Sequence, residues 1–365
     1  MGFRRGPVEA LDMTPQFWRD KSVFVTGHTG FKGGWLTLWL QSAGARVHGY
    51  SLEPPTSPCL FDVANVAEGL AGHRIGDVRD AASLKSALSA AAPEIVFHLA
   101  AQPLVRHSYH EPVETYATNV MGTVHLLEAV RTVGSVRTVV NVTTDKCYEN
   151  KEWLWGYRES EPLGGKDPYS NSKACAELVT AAYRDSFLAK AGIAVATARA
   201  GNVIGGGDWA PDRLIPDFFR ALDSGRMLEV RFPSATRPWQ HVLEPLSGYL
   251  TLAEQLAYEG PDRAQAWNFG PGEEDARSVG WILDHLATRL PDATWRHIGG
   301  EHLREAGHLK LDSSKARQEL AWRPRWNLRS ALDMTVAWHQ AWRDASNMRE
   351  VCLAQIAAYQ IAPTL

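Results

Sequence analysis

The apolar run Val23-Phe24-Val25 passes directly into Thr26-Gly27-His28-Thr29-Gly30-Phe31-Lys32-Gly33, and a helix-length stretch from Gly34 to Ala43 follows. Glycines at 27, 30 and 33 leave the backbone N–H groups of the turn open to an anion, and a helix N-terminus favours negative charge there. Such a turn between a strand and a helix marks a loop that closes on a pyrophosphate. Few folds accommodate it, and the leading one is a sheet of parallel strands joined by helices.

The rest of the first half keeps that rhythm. Arg46 to Tyr50, Glu94 to Leu99, Thr138 to Val142 and Ile193 to Thr197 read as further strands, and most are nearly continuous in apolar character. Strands covered on both faces require this. Ala81 to Ala91, Pro112 to Val133 and Ser170 to Ala189 have helical length and mixed faces. The alternation predicts an α/β fold with a Rossmann-like, doubly wound parallel sheet over residues 17–200. After Gly201 the texture changes: Gly205-Gly206-Gly207 opens a loop, and proline and tryptophan become frequent. Residues 201–236 and 271–345 are expected to form a smaller interleaved lobe. Residues 237–270 are expected to return to the main sheet, with Trp239 to Leu256 as a helix and Ala266 to Phe269 as a strand.

The 38 basic and 41 acidic residues nearly cancel, which argues against a general nucleic-acid or membrane surface. Cys59, Cys147, Cys175 and Cys352 are scattered and lack metal-ligand spacing. A reducing compartment fits them. The opening stretch Met1 to Glu9 has no apolar core of the signal-peptide kind, and no window reaches the ~18 apolar residues of a membrane span. The expectation is a cytoplasmic protein without a metal.

Two short segments carry reactive side chains: Thr143-Thr144-Asp145-Lys146 and Tyr169-Ser170-Asn171-Ser172-Lys173. On a helix Tyr169 and Lys173 lie one turn apart on one face. A phenol with pKa about 10 is a poor base at neutral pH, and a nearby ammonium favours its phenolate. Thr144 can hydrogen-bond the same substrate hydroxyl, so proton loss and hydride transfer can be concerted. The glycine loop supplies the candidate cofactor contacts Gly27, Thr29, Gly30, Phe31, Lys32 and Gly33. An acid for the adenosine ribose of NAD is expected about 20 residues on. The second strand instead ends at Ser51, with Glu53 beyond and Lys32 and Arg46 near in sequence, so NAD is expected and NADP stays open. Asp77 and Val78 are candidates for the adenine, although an aspartate there also suits a turn.

Three matches stand in order along the chain: Gly27/Gly30/Gly33, His98-Leu99-Ala100-Ala101-Gln102, and Tyr169 to Lys173. On these the chain resembles the extended short-chain dehydrogenase/reductase family. The resemblance implies that Tyr169 is the base, that Lys173 tunes it and holds the nicotinamide ribose, and that Ala100, Ala101 and Gln102 line the cofactor. Within that family, sugar-nucleotide 4,6-dehydratases carry an acid and a base directly after the threonine. Asp145 is then the implied acid at the carbon-6 hydroxyl and Lys146 the implied base at carbon 5. A lysine there, rather than glutamate, resembles the CDP-sugar branch, so CDP-glucose is the implied small-molecule substrate. An amine serves as base only where burial or a neighbouring cation lowers its pKa from about 10.4.

The same resemblance implies that Asn202, Arg213, Leu214 and Arg237 hold the nucleotide sugar, and that Asn119 is either structural or a support for the catalytic lysine. Glu305 to Asp312 is a segment able to close the site. It also implies a homodimer that pairs the helices Pro112 to Val133 and Ser170 to Ala189. Two other readings stay open at this stage: another dehydratase or 4-epimerase of the family, and a dinucleotide sensor without catalysis. Asp145-Lys146 argues against epimerisation, and retention of Thr144, Tyr169 and Lys173 argues against a sensor.

Overall fold

The computed structural model describes residues 14–299 and 309–365. Met1 to Glu9 and the first part of the Glu305 to Asp312 segment lie outside the described residues. Among the described residues the main sheet has seven strands: β1 (Ser22–Thr26), β2 (Arg46–Ser51), β3 (Gly72–Ile75), β4 (Ile95–His98), β5 (Thr138–Val142), β6 (Ala194–Ala200) and β10 (Ala266–Phe269). All pair in parallel, in the order β10-β6-β5-β4-β1-β2-β3. Smaller sheets join β7 (Asn202–Ile204), β9 (Thr236–His241) and β11 (Ala276–Ser278), and β8 (Leu228–Val230) with β12 (Trp295–His297). The principal helices are α1 (Phe31–Ser42), α2 (Ala81–Ala91), α3 (Gly122–Thr132), α4 (Pro168–Tyr183), α5 (Leu214–Asp223), α6 (Leu243–Glu259), α7 (Val279–Arg289), α8 (Leu328–Arg343) and α9 (Met348–Ile361).

Strand side chains alternate between faces, so Val23 and Val25 meet one core and Phe24 the other. The first core takes Trp35, Leu36 and Trp39 of α1 and Leu246, Tyr249 and Leu250 of α6. The second takes Leu84 and Leu88 of α2 and Leu126, Leu127 and Val130 of α3. Each such side chain contributes about 1.5–3 kcal/mol on full burial. The fold is therefore a doubly wound α/β sheet of Rossmann type. Strand order reverses between β1 and β4, and in sheets of this kind ligands bind in the crevice at that point.

Non-local pairing corrects several sequence expectations. Gly72–Ile75 forms an edge strand although it holds one large apolar residue and an edge needs little apolar character. Trp239 does not begin a helix: Thr236–His241 is extended, paired with β7 on one side and β11 on the other, and α6 starts at Leu243. Return to the main sheet is made by α6 and β10, which pairs with β6. The stretch Pro112 to Val133 is helical but broken by a π-helical turn at Ala117–Met121. Beyond residue 345, α9 packs on α1, with Tyr359 edge-on to Trp39 at 5.6 Å.

Candidate active site

A single cleft of about 1310 Å³ opens at the C-terminal ends of the main strands and runs into the smaller lobe. At its β1 end lies the glycine loop. Gly27 has φ +80°, and a Cβ there stands 2.8 Å from the backbone nitrogen of Ala100. A Cβ on Gly33 meets the Gly27 carbonyl oxygen at 2.0 Å. Glycine is thus required at both positions, and the bare backbone ahead of α1 forms a cradle that suits a dinucleotide pyrophosphate. Thr26 fastens the opposite wall: its Oγ1 accepts the N–H groups of Leu99 and Ala100, both at 3.2 Å, and lies 2.7 Å from His98 Nδ1. Thr29 Oγ1 closes the end of β2 through Ser51 Oγ at 2.8 Å and the Leu52 carbonyl at 2.9 Å.

The catalytic candidates converge on the next part of the cleft. Thr144 caps a short turn over Asp145–Cys147 at the end of β5, accepting the Lys146 N–H at 3.4 Å. Its Oγ1 donates to Asp145 Oδ1 at 3.1 Å. Helix α4 presents Tyr169 and Lys173 from its first turns, with Pro168 preset for a helix start and Asp167 accepting the Ser170 N–H at 2.9 Å. The Lys146 ammonium lies 5.8 Å from the Tyr169 ring centroid, and Lys173 Nζ reaches the Val142 carbonyl at 3.4 Å. Asn119, inside the π-helical turn, accepts the Gln102 N–H at 2.8 Å and donates to Ser172 Oγ at 2.9 Å, bracing the residue beside Lys173.

Burial sets the charges here. It raises the Asp145 carboxyl above the usual range, against Lys146, the Thr144 hydrogen bond, Arg237 and Lys32. The Tyr169 phenol is pushed up to about 12 by burial, and the opposing influences are the neighbouring Thr144 hydroxyl and the Arg213 guanidinium. Arg213, expected only at the nucleotide, is thus also a cation that favours the phenolate. Burial lowers Lys173 to about 8, opposed by Glu177, and lowers Lys32 to about 7, aided by Arg213 and Lys173.

The cleft brings together the expected residues Gly27, Thr29 to Gly33, Ser51, Asp77, Val78, Ala100, Ala101, Thr144 to Lys146, Tyr169, Lys173, Asn202, Arg213, Leu214 and Arg237. Gln102 departs from the expectation: it is not on the cleft wall, and its amide donates to Thr115 Oγ1 at 2.9 Å and accepts the Leu104 N–H at 2.5 Å. Asp77 lines the cleft, yet its carboxylate is engaged by the Arg79 side chain at 2.5 and 2.8 Å. Leu309, from the late segment, also lines the wall.

Several contributors escaped sequence reading. Asp208 fixes Arg213 at 2.8 Å, and Arg106 of the main unit meets Asp212 of the lobe at 2.7 Å. Behind the catalytic strand, Glu177 binds Arg199 and accepts from Thr143 and Thr197, while Arg199 donates to the Tyr148 hydroxyl at 2.7 Å. The spacing of Glu177, four residues after Lys173 on a helix, was the available signal.

Comparison with known proteins agrees with this geometry. Residues 24–266 match the family described as GDP-mannose 4,6 dehydratase. The chain is 54% identical over 354 residues to a CDP-glucose 4,6-dehydratase of Salmonella typhimurium, covering 95% of this chain and 98% of that one. It is 30% identical over 340 residues to a dTDP-glucose 4,6-dehydratase of Streptomyces antibioticus, covering 87% and 92%. Among solved structures, a dTDP-glucose 4,6-dehydratase from Bacillus anthracis in complex with NAD superposes with TM-score 0.74 at 20% identity, over 90% of this chain and 99% of that one. MoeE5 in complex with UDP-glucose and NAD gives TM-score 0.74 at 25% identity, over 88% and 99%. The chain therefore belongs to the GDP-mannose 4,6 dehydratase family of sugar-nucleotide dehydratases.

Proposed function

We propose that this protein is a CDP-glucose 4,6-dehydratase, which converts CDP-D-glucose to CDP-4-keto-6-deoxy-D-glucose and water. The observation that carries this reading is the meeting of Thr144, Asp145, Lys146 and Tyr169 in one cleft that also holds the glycine cradle. The choice of a cytidine nucleotide is supported by the 54% identity to the Salmonella enzyme over nearly the full length of both chains.

Tyr169, with Thr144 at the same hydroxyl, removes the proton from the carbon-4 oxygen of the sugar. NAD held by Gly27, Gly30, Gly33, Ala100, Ala101 and Lys173 supplies the oxidant for carbon 4 and the reductant for carbon 6. The ketone acidifies the neighbouring hydrogen, and Lys146 takes the carbon-5 proton. Asp145, whose carboxyl burial pushes above the usual range, gives a proton to the carbon-6 oxygen, which leaves as water. Arg237, Arg213 and Asn202 hold the diphosphate side of the substrate. Residues 17–200 thus serve the cofactor and the residues of the smaller lobe the sugar nucleotide.

The setting is cytoplasmic in this reading, in keeping with four free cysteines and the lack, among the described residues, of any helix long and apolar enough to cross a membrane. A homodimer forms through Pro112 to Val133 and Ser170 to Ala189, which carry the exposed side chains Val113, Met121, Leu178 and Phe187. Incubation of the pure protein with CDP-glucose, dTDP-glucose, UDP-glucose and GDP-mannose, followed by the alkali-induced absorbance of a 4-keto sugar, tests the assignment. Product from CDP-glucose is expected. No keto sugar from any donor overturns the dehydratase reading, and product from dTDP-glucose alone overturns the cytidine one.

A further inference from the structure

The proposed reaction needs two hydroxyls at one sugar oxygen, and they come from different elements. Tyr169 rides on α4, whereas Thr144 stands just beyond the end of β5. Their separation is set by whatever ties α4 to that turn. Two side chains of α4 beyond Tyr169 do so: Lys173 Nζ donates to the Val142 carbonyl at 3.4 Å, and Glu177 accepts from the Thr143 hydroxyl. Val142 and Thr143 are the two residues directly ahead of Thr144.

The far end of the turn is held by the same group. Tyr148 follows Asp145–Cys147, and its hydroxyl accepts from Arg199 Nη1 at 2.7 Å and donates to Asn268 Oδ1 at 2.8 Å. Arg199 is the partner of Glu177, at 3% and 4% exposure. One buried ion pair thus grips both Thr143 and Tyr148, the residues that flank Thr144 to Cys147. Glu177 has no capacity to spare: Oε1 accepts from Thr143 and Arg199 Nε, and Oε2 from Thr197 and Arg199 Nη2, which fills its four lone-pair sites. Hydrogen bonds to a charged group are roughly twice as strong as neutral ones, so the grip on Thr143 is firm.

Resting on the dehydratase reading above, we propose that Thr143 is a positioning residue, whose hydroxyl, held by the Glu177–Arg199 pair, sets the place of Thr144 and Asp145 against Tyr169. A β-branched side chain is stiff about its first torsion, so fixing Oγ1 fixes the backbone at 143 and with it the next residue. This role needs no contact with the sugar. A misplacement of about 1 Å at a reacting group costs about 100-fold in rate. Loss of the grip therefore slows the chemical step, while the glycine cradle between β1 and α1 is left intact and NAD binds as before.

The test is single-turnover formation of keto sugar from CDP-glucose, with NAD-loaded enzyme in saturating excess, for the wild type, Thr143→Val, Thr143→Ser and Thr197→Val. A rate constant measured this way does not depend on what fraction of the protein is folded, so it separates positioning from stability. Thr143→Val is expected to lower it about 100-fold, with the dissociation constant for NAD unchanged, and Thr143→Ser to recover most of the loss. Thr197→Val takes a hydroxyl from the other oxygen of the same carboxylate, on β6 and away from the turn, and is expected to keep the wild-type rate constant. A wild-type rate constant in Thr143→Val overturns the proposal, as does a Thr143→Ser as slow as the valine variant or a Thr197→Val slowed equally. If Thr143→Val does not fold, Tyr148→Phe frees the other end of the turn and is expected to be slow in its place; an unchanged rate constant there overturns the proposal too. A wild type inactive toward every donor overturns the dehydratase reading and the positioning role with it, whereas an active wild type beside an equally fast Thr143→Val overturns the positioning role alone.

Discussion

Arg199 clasps Glu177 through two nitrogens, Nε to Oε1 at 2.9 Å and Nη2 to Oε2 at 2.7 Å, one helical turn beyond Lys173 on the catalytic helix. Both side chains are almost wholly buried, and the pair ties α4 to β6 behind the catalytic strand β5. Removing one partner strands the other charge. Glu177→Gln is expected to lower the unfolding free energy by about 3–5 kcal/mol, the range for a broken buried pair. Urea denaturation checks it, and an unchanged midpoint would refute the role.

The cradle makes a graded forecast. Gly33→Ala places a Cβ 2.0 Å from a backbone oxygen, whereas Gly30→Ala meets its nearest atom at 3.4 Å. Overpacking of the first kind costs about 1–3 kcal/mol, and a cost of that size borne by the bound state is roughly 5–150-fold in affinity. Titration with NAD should show that loss for Gly33→Ala and a much smaller one for Gly30→Ala.

Lys146 and Tyr169 act at different carbons, so their functions separate. Lys146→Ala is expected to oxidise carbon 4 yet to lose exchange of the carbon-5 hydrogen with deuterated solvent. Normal exchange in that variant removes Lys146 as the base.

Arg213 opposes the upward push of burial on the Tyr169 phenol. Its loss should raise the pKa of that phenol, so more alkaline solution is needed to form the phenolate. In Arg213→Met the acidic limb of the pH profile for hydride removal from carbon 4 moves to higher pH. Single-turnover absorbance of the reduced nicotinamide gives this directly, apart from any rise in KM.

Glu244 is buried against α9, accepting from the Tyr359 hydroxyl at 2.7 Å and the Trp326 N–H at 2.7 Å. Burial raises its carboxyl from 4.5 to about 7. The folded protein holds this proton to higher pH than the unfolded chain does. The contribution is therefore fully present below about pH 4.5 and lost as pH rises through about 7. Buried His28, His98 and His241, whose pKa values burial lowers to about 4, 3 and 3, push stability the other way in this window, so the check is a difference: the Tm of Glu244→Gln should gain on that of the wild type as pH rises from about 4.5 to about 7. Glu254, also raised to about 7 by burial, adds the same pH dependence to both proteins.

The catalytic group was legible because its spacing is local. Tyr169 and Lys173 share one helix face, Thr144 to Lys146 are consecutive, and the glycine loop lies between its own strand and helix. The illegible parts depend on distant partners. Strand β9 is extended because β7 and β11 flank it, although Trp239 to Leu256 has helical composition. Gln102 turned from the cleft because Thr115 and Asn119 capture it. Arg213, held by Asp208 five residues before it, acts on the charge of a phenol 44 residues earlier in the chain. Neighbouring sequence announces neither that meeting nor the partners of β9 and Gln102.

Helix α9 closes over Trp39 of α1, and its Tyr359 joins Glu244 of α6. The helix that carries the phosphate cradle leaves the ribosome well before the helix that covers it. A nascent chain therefore exposes that tryptophan face through most of its synthesis. Chains truncated before Met348 are expected to need a chaperone to stay soluble, although their cleft residues are all present.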